Sequence, residues 1–327
     1  MEWTLSAIKS LFNELTVVIL MGALFAFSTH VLLISKKTRL LRRNYNKLKE
    51  KEVESRQVLK QRNSLQTRTK SIEDSLKYAE RIQRAMFTTP RQMETLFPES
   101  FIYQKPKDIV SGDFYWARKI NGKVLFSVAD CTGHGVPGAF MSMIGLEFFR
   151  QIVVGKEIHE PAKILEEMNH HFDLVFGGLD ELSLKDGMDL GFCVYDYKEK
   201  TLEFAGAFNS LYIVRDNEIL EIKGDRIIVG PDYGVNRSGF QNKSVRIQEE
   251  DVLYMFTDGY PDQFGGPEGK KFKYRRFRHL LMSIHQLPMK EQYQKLDGNM
   301  KEWMGAQNDQ IDDQTVIGIR PASFSSF

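Results

Sequence analysis

The sequence predicts an α+β protein in which a helical N-terminal third precedes a globular body built on strands. Three observations carry this. Residues 36–88 contain neither proline nor glycine and are rich in Lys, Glu, Gln, Arg and Leu, the composition of one long helix. Beyond Pro90 and Pro98, which mark the boundary into the body, apolar runs such as KVLFSVAD (123–130), DVLYMFTD (251–258) and TVIGI (315–319) read as strands. Between them, Gly133, Gly135 and Gly138 open a helical pattern, Ala139 through Phe149, giving a strand, a glycine-rich turn and a helix in succession.

The first 35 residues hold a membrane anchor. Leu15 to Ile34 contain no Asp, Glu, Lys or Arg, and such a run of about 20 residues crosses a hydrocarbon core roughly 30 Å thick as a helix. Lys36, Lys37, Arg39, Arg42 and Arg43 follow the run, and only Lys9 precedes it. A removable signal peptide has its basic residues in front, whereas basic residues behind an anchor keep the C-terminal body in the cytoplasm. The expectation is a single-pass protein of the cell inner membrane. It has a short extracytoplasmic segment (1–14), a transmembrane helix (15–35), a basic helical linker (36–89), a catalytic domain (90–322) and a tail (323–327).

Charge is uneven along the chain. Thirteen Lys or Arg face three Glu between Lys36 and Lys70, a local net of +10. The whole chain of 327 residues carries only +2, so the remainder carries −8. The basic block is suited to anionic lipid headgroups. Tyr45 is its single aromatic, and nucleic acid is not expected as a partner. Val58, Leu65, Ile72, Ala79 and Met86 recur every seven residues with Leu76 between them, while Arg62, Thr69 and Gln83 interrupt the intermediate positions. This imperfect seam predicts a homodimer through a coiled coil in the linker. Two cysteines, Cys131 and Cys193, show no disulfide or zinc spacing.

Four acidic stations dominate the body: SGDFYW (111–116), ADCTGHG (129–135), FTDGY (256–260) and IDDQT (311–315). Each sets an aspartate beside a turn residue at the end of an apolar run, where a carboxylate leaves the sheet at its rim. Asp113, Asp130, Asp258 and Asp312 gathered in one place would repel each other unless a cation sat among them. All-oxygen sites select Mg²⁺ or Mn²⁺, and the residues point to a metal-dependent hydrolase. No G-x-x-x-x-G-K-[ST] phosphate loop is present.

In this order, and together with YAERIQRAM (78–86), KPKDIVSGDFYW, ADCTGHGVPGAFMSMIG, DGMDLGFCVYD, AGAFNSLYIVRD and TDGYPDQFGG, the stations resemble the PPM (type 2C) serine/threonine protein phosphatases. The nearer likeness is to their bacterial SpoIIE/RsbU-like branch, which acts on phosphorylated regulatory proteins. The resemblance covers roughly residues 90 to 320 and implies a four-layer α-β-β-α sandwich. It further implies two Mn²⁺ or Mg²⁺ ions bridged by Asp130, with the Cys131 carbonyl completing one ion. Asp258 and Asp312 would hold the second, and Asp113 would bind that ion or orient the attacking water. Asp312 is favoured over Asp313 from the order of the block. His134 is a candidate general acid, with a structural role in the turn as the alternative. The arginine that grips phosphate in animal members has no clear counterpart, and Lys105 or Lys107 stands in for it. A further departure is Cys131–Thr132, placed between the bridging aspartate and the glycine that follows it directly in animal members.

Other features carry less. Asp189 reads as a turn residue before a strand, and the adjacent pair His170–His171 as surface residues. FGGLDELSLKDGMD (176–189) reads as a flap or a long loop. KKFKYRRFRH (270–279) reads as a solvated helix with Phe272, Arg276 and His279 on one face. The expected function is a membrane-anchored phosphoprotein phosphatase acting on a signalling protein such as an anti-sigma-factor antagonist. Two readings compete with it: a non-catalytic membrane scaffold and a two-metal phosphodiesterase, for which no base-recognition pocket is visible in the sequence.

Overall fold

The computed structural model describes residues 2–176, 186–231 and 239–321. Contacts divide the chain into two compact units, Met1–Glu73 and Asp74–Phe327. Helix α1 runs without a break over Glu2–Met86. Within its first unit the apolar side chains of the described residues are all exposed, Leu15, Val18, Leu20, Leu24 and Phe25 among them. The stretch is long and apolar enough to cross a membrane. Its hydroxyls turn back onto the helix itself: Thr16 donates to the Phe12 carbonyl, Thr29 to Ala26 and Ser35 to Leu32. Polar groups satisfied in this way are tolerated in lipid.

In the second unit, α2 (Pro90–Leu96) starts at a capping box between Thr89 and Gln92 with proline in its first turn. The chain then forms β1 (Ser100–Lys105), β2 (Phe114–Ile120), β3 (Lys123–Cys131), α3 (Gly135–Phe149) and α4 (Pro161–Phe176), α3 ending in a π-helical turn over Arg150–Gly155. Next come β4 (Met188–Asp196), β5 (Thr201–Ala207), β6 (Leu211–Arg215), β7 (Glu218–Ile222), β8 (Lys243–Arg246) and β9 (Val252–Phe256). The remaining elements are α5 (Gly259–Asp262), β10 (Phe264–Gly265), β11 (Lys270–Lys271), α6 (Tyr274–Ile284), α7 (Met289–Met304) and β12 (Gln314–Ile319). Asn121–Gly122 turns β2 into β3 with both residues at positive φ, the two-residue turn that strand twist favours.

Ten strands make two antiparallel five-stranded sheets, ordered β1-β12-β9-β6-β7 and β2-β3-β4-β5-β8. Strand side chains alternate between faces, and here the alternation sorts residues into three apolar layers. Val124, Phe126 and Val128 of β3 meet Leu253, Met255 and Ile317 of the other sheet. Leu125, Ala129 and Cys131 face outward, onto Leu146, Phe149, Ile164 and Phe172 of α3 and α4. On the opposite outside, Tyr103, Tyr254 and Val316 pack under Phe277, Leu281, Leu296 and Met300 of α6 and α7. Helix, sheet, sheet, helix is the four-layer sandwich expected.

The body departs from expectation in several places. Lys270–Lys271 form a strand, so α6 begins only at Tyr274, and Phe272 is buried outside the helix; Phe277 and Leu281 are the inward residues instead. His170 is exposed, but His171 packs on Phe148 with ring centroids 5.2 Å apart. Most of the expected flap, 177–185, and the tail, 323–327, lie outside the described residues. Gln83, a gap in the heptad seam, is buried: its amide donates to the Ser111 carbonyl (2.6 Å) and to the Ser142 hydroxyl (2.9 Å), and its oxygen accepts from the Ser111 N–H (3.1 Å).

Candidate active site

The acidic side chains collect at one rim of the layer between the sheets because strand alternation aims them there. In β3, Asp130 shares parity with Val124, Phe126 and Val128, the residues facing the opposite sheet. Asp113 stands just before β2 with the parity of Tyr115, which faces the same layer. Thr257 follows β9 on the side of Leu253 and Met255. Its hydroxyl donates to Asp113 Oδ2 at 2.6 Å and accepts from the Thr315 N–H at 3.0 Å. One hydroxyl thus ties the two sheets together at the site.

Asp258 begins α5 directly after Thr257, and its carboxyl reaches that of Asp130. Gly259 allows this corner to close: a Cβ there would lie 1.9 Å from the Asp313 carbonyl oxygen and 3.4 Å from the Asp312 Cβ. Asp312 and Asp313 diverge. Asp313 is buried and accepts from the backbone N–H of Lys107 (2.7 Å) and Gly112 (2.6 Å), pinning the loop that leads to Asp113. Asp312, half-buried, is the member of the pair whose charge acts on Asp130 and Asp258.

The electrostatics match this crowding. Burial, then the charges of Asp113, Asp258, Asp312 and Asp189, push the Asp130 carboxyl well above the usual carboxylate range. Asp113 rises too, chiefly through burial, against the Thr257 hydrogen bond. Burial likewise raises Asp258, then Asp262 and Asp312, while Asp312 is raised by burial and eased by the Asp313 N–H. The charges acting most strongly on Asp130 are all carboxylates, and an all-oxygen acidic set of this kind suits a hard divalent cation. Among the described residues no three His, Cys, Asp or Glu side chains are already gathered tightly enough to hold an ion. The donor chemistry therefore fits Mg²⁺ or Mn²⁺, in an electrostatic cluster rather than a closed cage.

Asp189 corrects the sequence reading. It lies inside β4 and is the cross-strand partner of Asp130, not a turn residue. Burial and then Asp258 push its carboxyl up to about 6. The signal was present as a second acid at a strand end, but only the register of β4 on β3 puts it opposite Asp130. Lys105 is the other correction. It shares the outward parity of Phe101 and Tyr103 and ion-pairs with Asp297 of α7 at 3.3 Å, so it serves the outer helical layer. Lys107 instead sits on the β1–β2 loop, where its charge acts on Asp312. The Cys131 thiol faces the outer core and is raised well above the usual thiol range by burial, then by Asp130. Only its carbonyl is left for the role expected of it.

Comparison with known proteins agrees with this architecture. The family model for stage II sporulation protein E (SpoIIE) matches residues 120–321. The solved SiaA-PP2C domain of Pseudomonas aeruginosa is 35% identical, with a TM-score of 0.70 over 77% of this chain and 98% of that one. The PP2C phosphatase domain of Bacillus subtilis SpoIIE, solved with a fragment of its regulatory domain, shares the fold at 16% identity. Its TM-score is 0.56 over 68% of this chain and 62% of that one. The RsbU and RsbW domains of a Mycobacterium tuberculosis protein share it at 20% identity, with a TM-score of 0.51 over 68% and 60%. A comparison with curated proteins returns no match. With both a family model spanning most of the body and a close structural relative in agreement, the chain belongs to the SpoIIE/RsbU-like branch of the PPM (PP2C) protein-serine/threonine phosphatases.

Proposed function

We propose that the protein is a membrane-anchored, metal-dependent phosphatase that hydrolyses phosphoserine or phosphothreonine on a cytoplasmic signalling protein, such as an anti-sigma-factor antagonist. The observation that carries the metal dependence is the field at Asp130, a half-buried carboxylate whose strongest charged neighbours are other carboxylates. Asp130, Asp258, Asp312 and the Cys131 carbonyl hold two Mn²⁺ or Mg²⁺ ions in this reading. Bound there, such ions acidify water and neutralise charge building on a phosphoryl group. Asp113, held by Thr257, orients the attacking water. Lys107 grips the phosphoryl oxygens as a point charge. The exposed apolar run of α1 supports the anchor and the basic segment behind it supports a cytoplasmic domain. Exposed Val58, Leu65 and Ile72 supply the seam of a linker dimer. The boundaries proposed are 1–14, 15–35, 36–89, 90–322 and 323–327.

The test is hydrolysis of a phosphoserine peptide by the full chain in detergent, with Mn²⁺, with EDTA, and with Asp130→Ala in Mn²⁺. Turnover that needs Mn²⁺ and is lost in both controls supports the reading. Turnover undiminished by EDTA, or retained by the alanine variant, refutes it.

A further inference from the structure

Three side chains near the acidic cluster form a chain of contacts with a fixed polarity. Lys107 Nζ lies 2.8 Å from His134 Nε2, and His134 Nδ1 lies 2.8 Å from Asp108 Oδ2. An ammonium has three protons and no lone pair, so in the first contact Nε2 accepts. The ring proton therefore sits on Nδ1, where it is donated to the Asp108 carboxylate. The imidazole in this arrangement is neutral, with its acceptor nitrogen committed to Lys107.

The backbone is shaped around this contact. His134 is the N-cap residue of α3, yet its side chain makes no capping hydrogen bond, being turned to Lys107 and Asp108 instead. Gly135 next to it has φ +66°, and a Cβ there would stand 2.9 Å from Asp108 Oδ2. A glycine is thus needed both for the turn and for the approach of Asp108. The Lys107 main chain is held from the other side by Asp313. The ammonium is consequently restrained at both its root and its tip, and its charge acts on Asp312 at the edge of the cluster.

We infer that Asp108 and His134 are positioning residues for Lys107. They hold its ammonium beside the acidic cluster to meet the phosphoryl oxygens, and His134 serves as a neutral hydrogen-bond acceptor rather than as the acid that protonates the leaving serine. This rests on the phosphatase reading above and on Lys107 as its phosphate contact. A four-carbon lysine stem loses considerable rotamer freedom on binding; a side chain restrained beforehand loses less, and the benefit appears in substrate affinity.

The experiment uses the full chain in detergent with Mn²⁺ and two substrates, a phosphoserine peptide and p-nitrophenyl phosphate. The variants are Lys107→Ala, His134→Ala, His134→Gln, Asp108→Ala and Asp108→Asn. Losing a hydrogen bond to a charged group predicts a rise of about tenfold in KM, and in the inhibition constant of inorganic phosphate, for Lys107→Ala and His134→Ala. The kcat values change less, and both substrates are affected alike. His134→Gln, whose amide oxygen accepts from the ammonium, and Asp108→Asn, which keeps an acceptor for Nδ1–H, recover most of the loss seen in the alanine variants. Adding His134→Ala to Lys107→Ala costs little more than Lys107→Ala alone, because one interaction is being removed twice. Imidazole ¹⁵N spectra show His134 with its proton on Nδ1, a signature lost in Asp108→Ala.

A His134→Ala defect confined to kcat, on the order of a hundredfold, and present only for phosphoserine overturns the inference, since p-nitrophenolate leaves without an acid. So does a proton found on Nε2. If the wild-type chain shows no manganese-dependent turnover with either substrate, the phosphatase reading falls and this inference falls with it.

Discussion

Replacing Asp189 with Asn should stabilise the metal-free protein at neutral pH and leave it unchanged in acid. The Asp189 carboxyl is raised to about 6 from an ordinary 3.8, by burial first and by Asp258 second. For a carboxylate raised on folding, the folded state holds its proton more tightly than the unfolded chain. Below about pH 4 both states are protonated and no penalty exists. As pH rises from about 4 to about 6 the penalty grows, and above that it is complete. About two pH units at 1.36 kcal/mol each set a ceiling of about 3 kcal/mol at pH 7.5. Relaxation and water entry around a partly buried group bring the expected gain for Asp189→Asn to about 1–2 kcal/mol. Urea unfolding of the full chain in detergent and EDTA, followed by tryptophan fluorescence with buried Trp116 as a reporter, measures it at pH 7.5 and pH 4.5. A variant less stable than wild type at pH 7.5, or a gain of equal size at both pH values, refutes the argument that this carboxylate is held in an uncompensated acidic field.

Three further outcomes follow from named contacts. Thr257→Val leaves both Asp113 and the Thr315 N–H without their shared partner; unfolding free energy should fall by about 1–3 kcal/mol and kcat by about tenfold, checked by denaturation and steady-state kinetics. Gln83→Ala strips the Ser111 N–H of its buried partner and leaves the Ser111 carbonyl only the longer contact from the Ser142 hydroxyl (3.3 Å), two residues before Asp113. A loss of about 1–3 kcal/mol is expected in urea unfolding, with turnover reduced alongside it. Arg215→Ala removes the bidentate partner of fully buried Asp251, whose contacts are 2.7 and 2.8 Å; thermal unfolding should report a loss of about 3 kcal/mol, and KM for the phosphopeptide should stay within a factor of about two because the pair lies outside the acidic cluster.

Strand ends could be found from the sequence alone because hydrophobic runs and turn residues are local signals. KVLFSVAD and DVLYMFTD put Asp130 and Asp258 at the last positions of apolar runs; Asp130 is the next-to-last residue of β3, and Asp258 follows β9 by two residues as the cap of α5. The hairpin at Asn121–Gly122 is equally local, since only the left-handed conformations of those two residues are required. The acidic blocks were recognisable as a set because their order along the chain is itself information. Register was not legible. Asp189 faces Asp130 only because β4 pairs with β3 at that offset, and a slip of one residue would have sent it to the other face. Lys105 and Lys107 are two residues apart and chemically alike, yet the first pairs with α7 and the second with His134, a choice made by where β1 ends. Gln83 looked like a flaw in a coiled-coil seam until Ser111 and Ser142, 28 and 59 residues away, came to meet it. Sequence by itself singled out the acidic groups Asp113, Asp130, Asp258 and Asp312 and the strand ends near which they lie. Tertiary structure decided which of them share a face, because alternation fixes a side chain's direction only once pairing has fixed the strand.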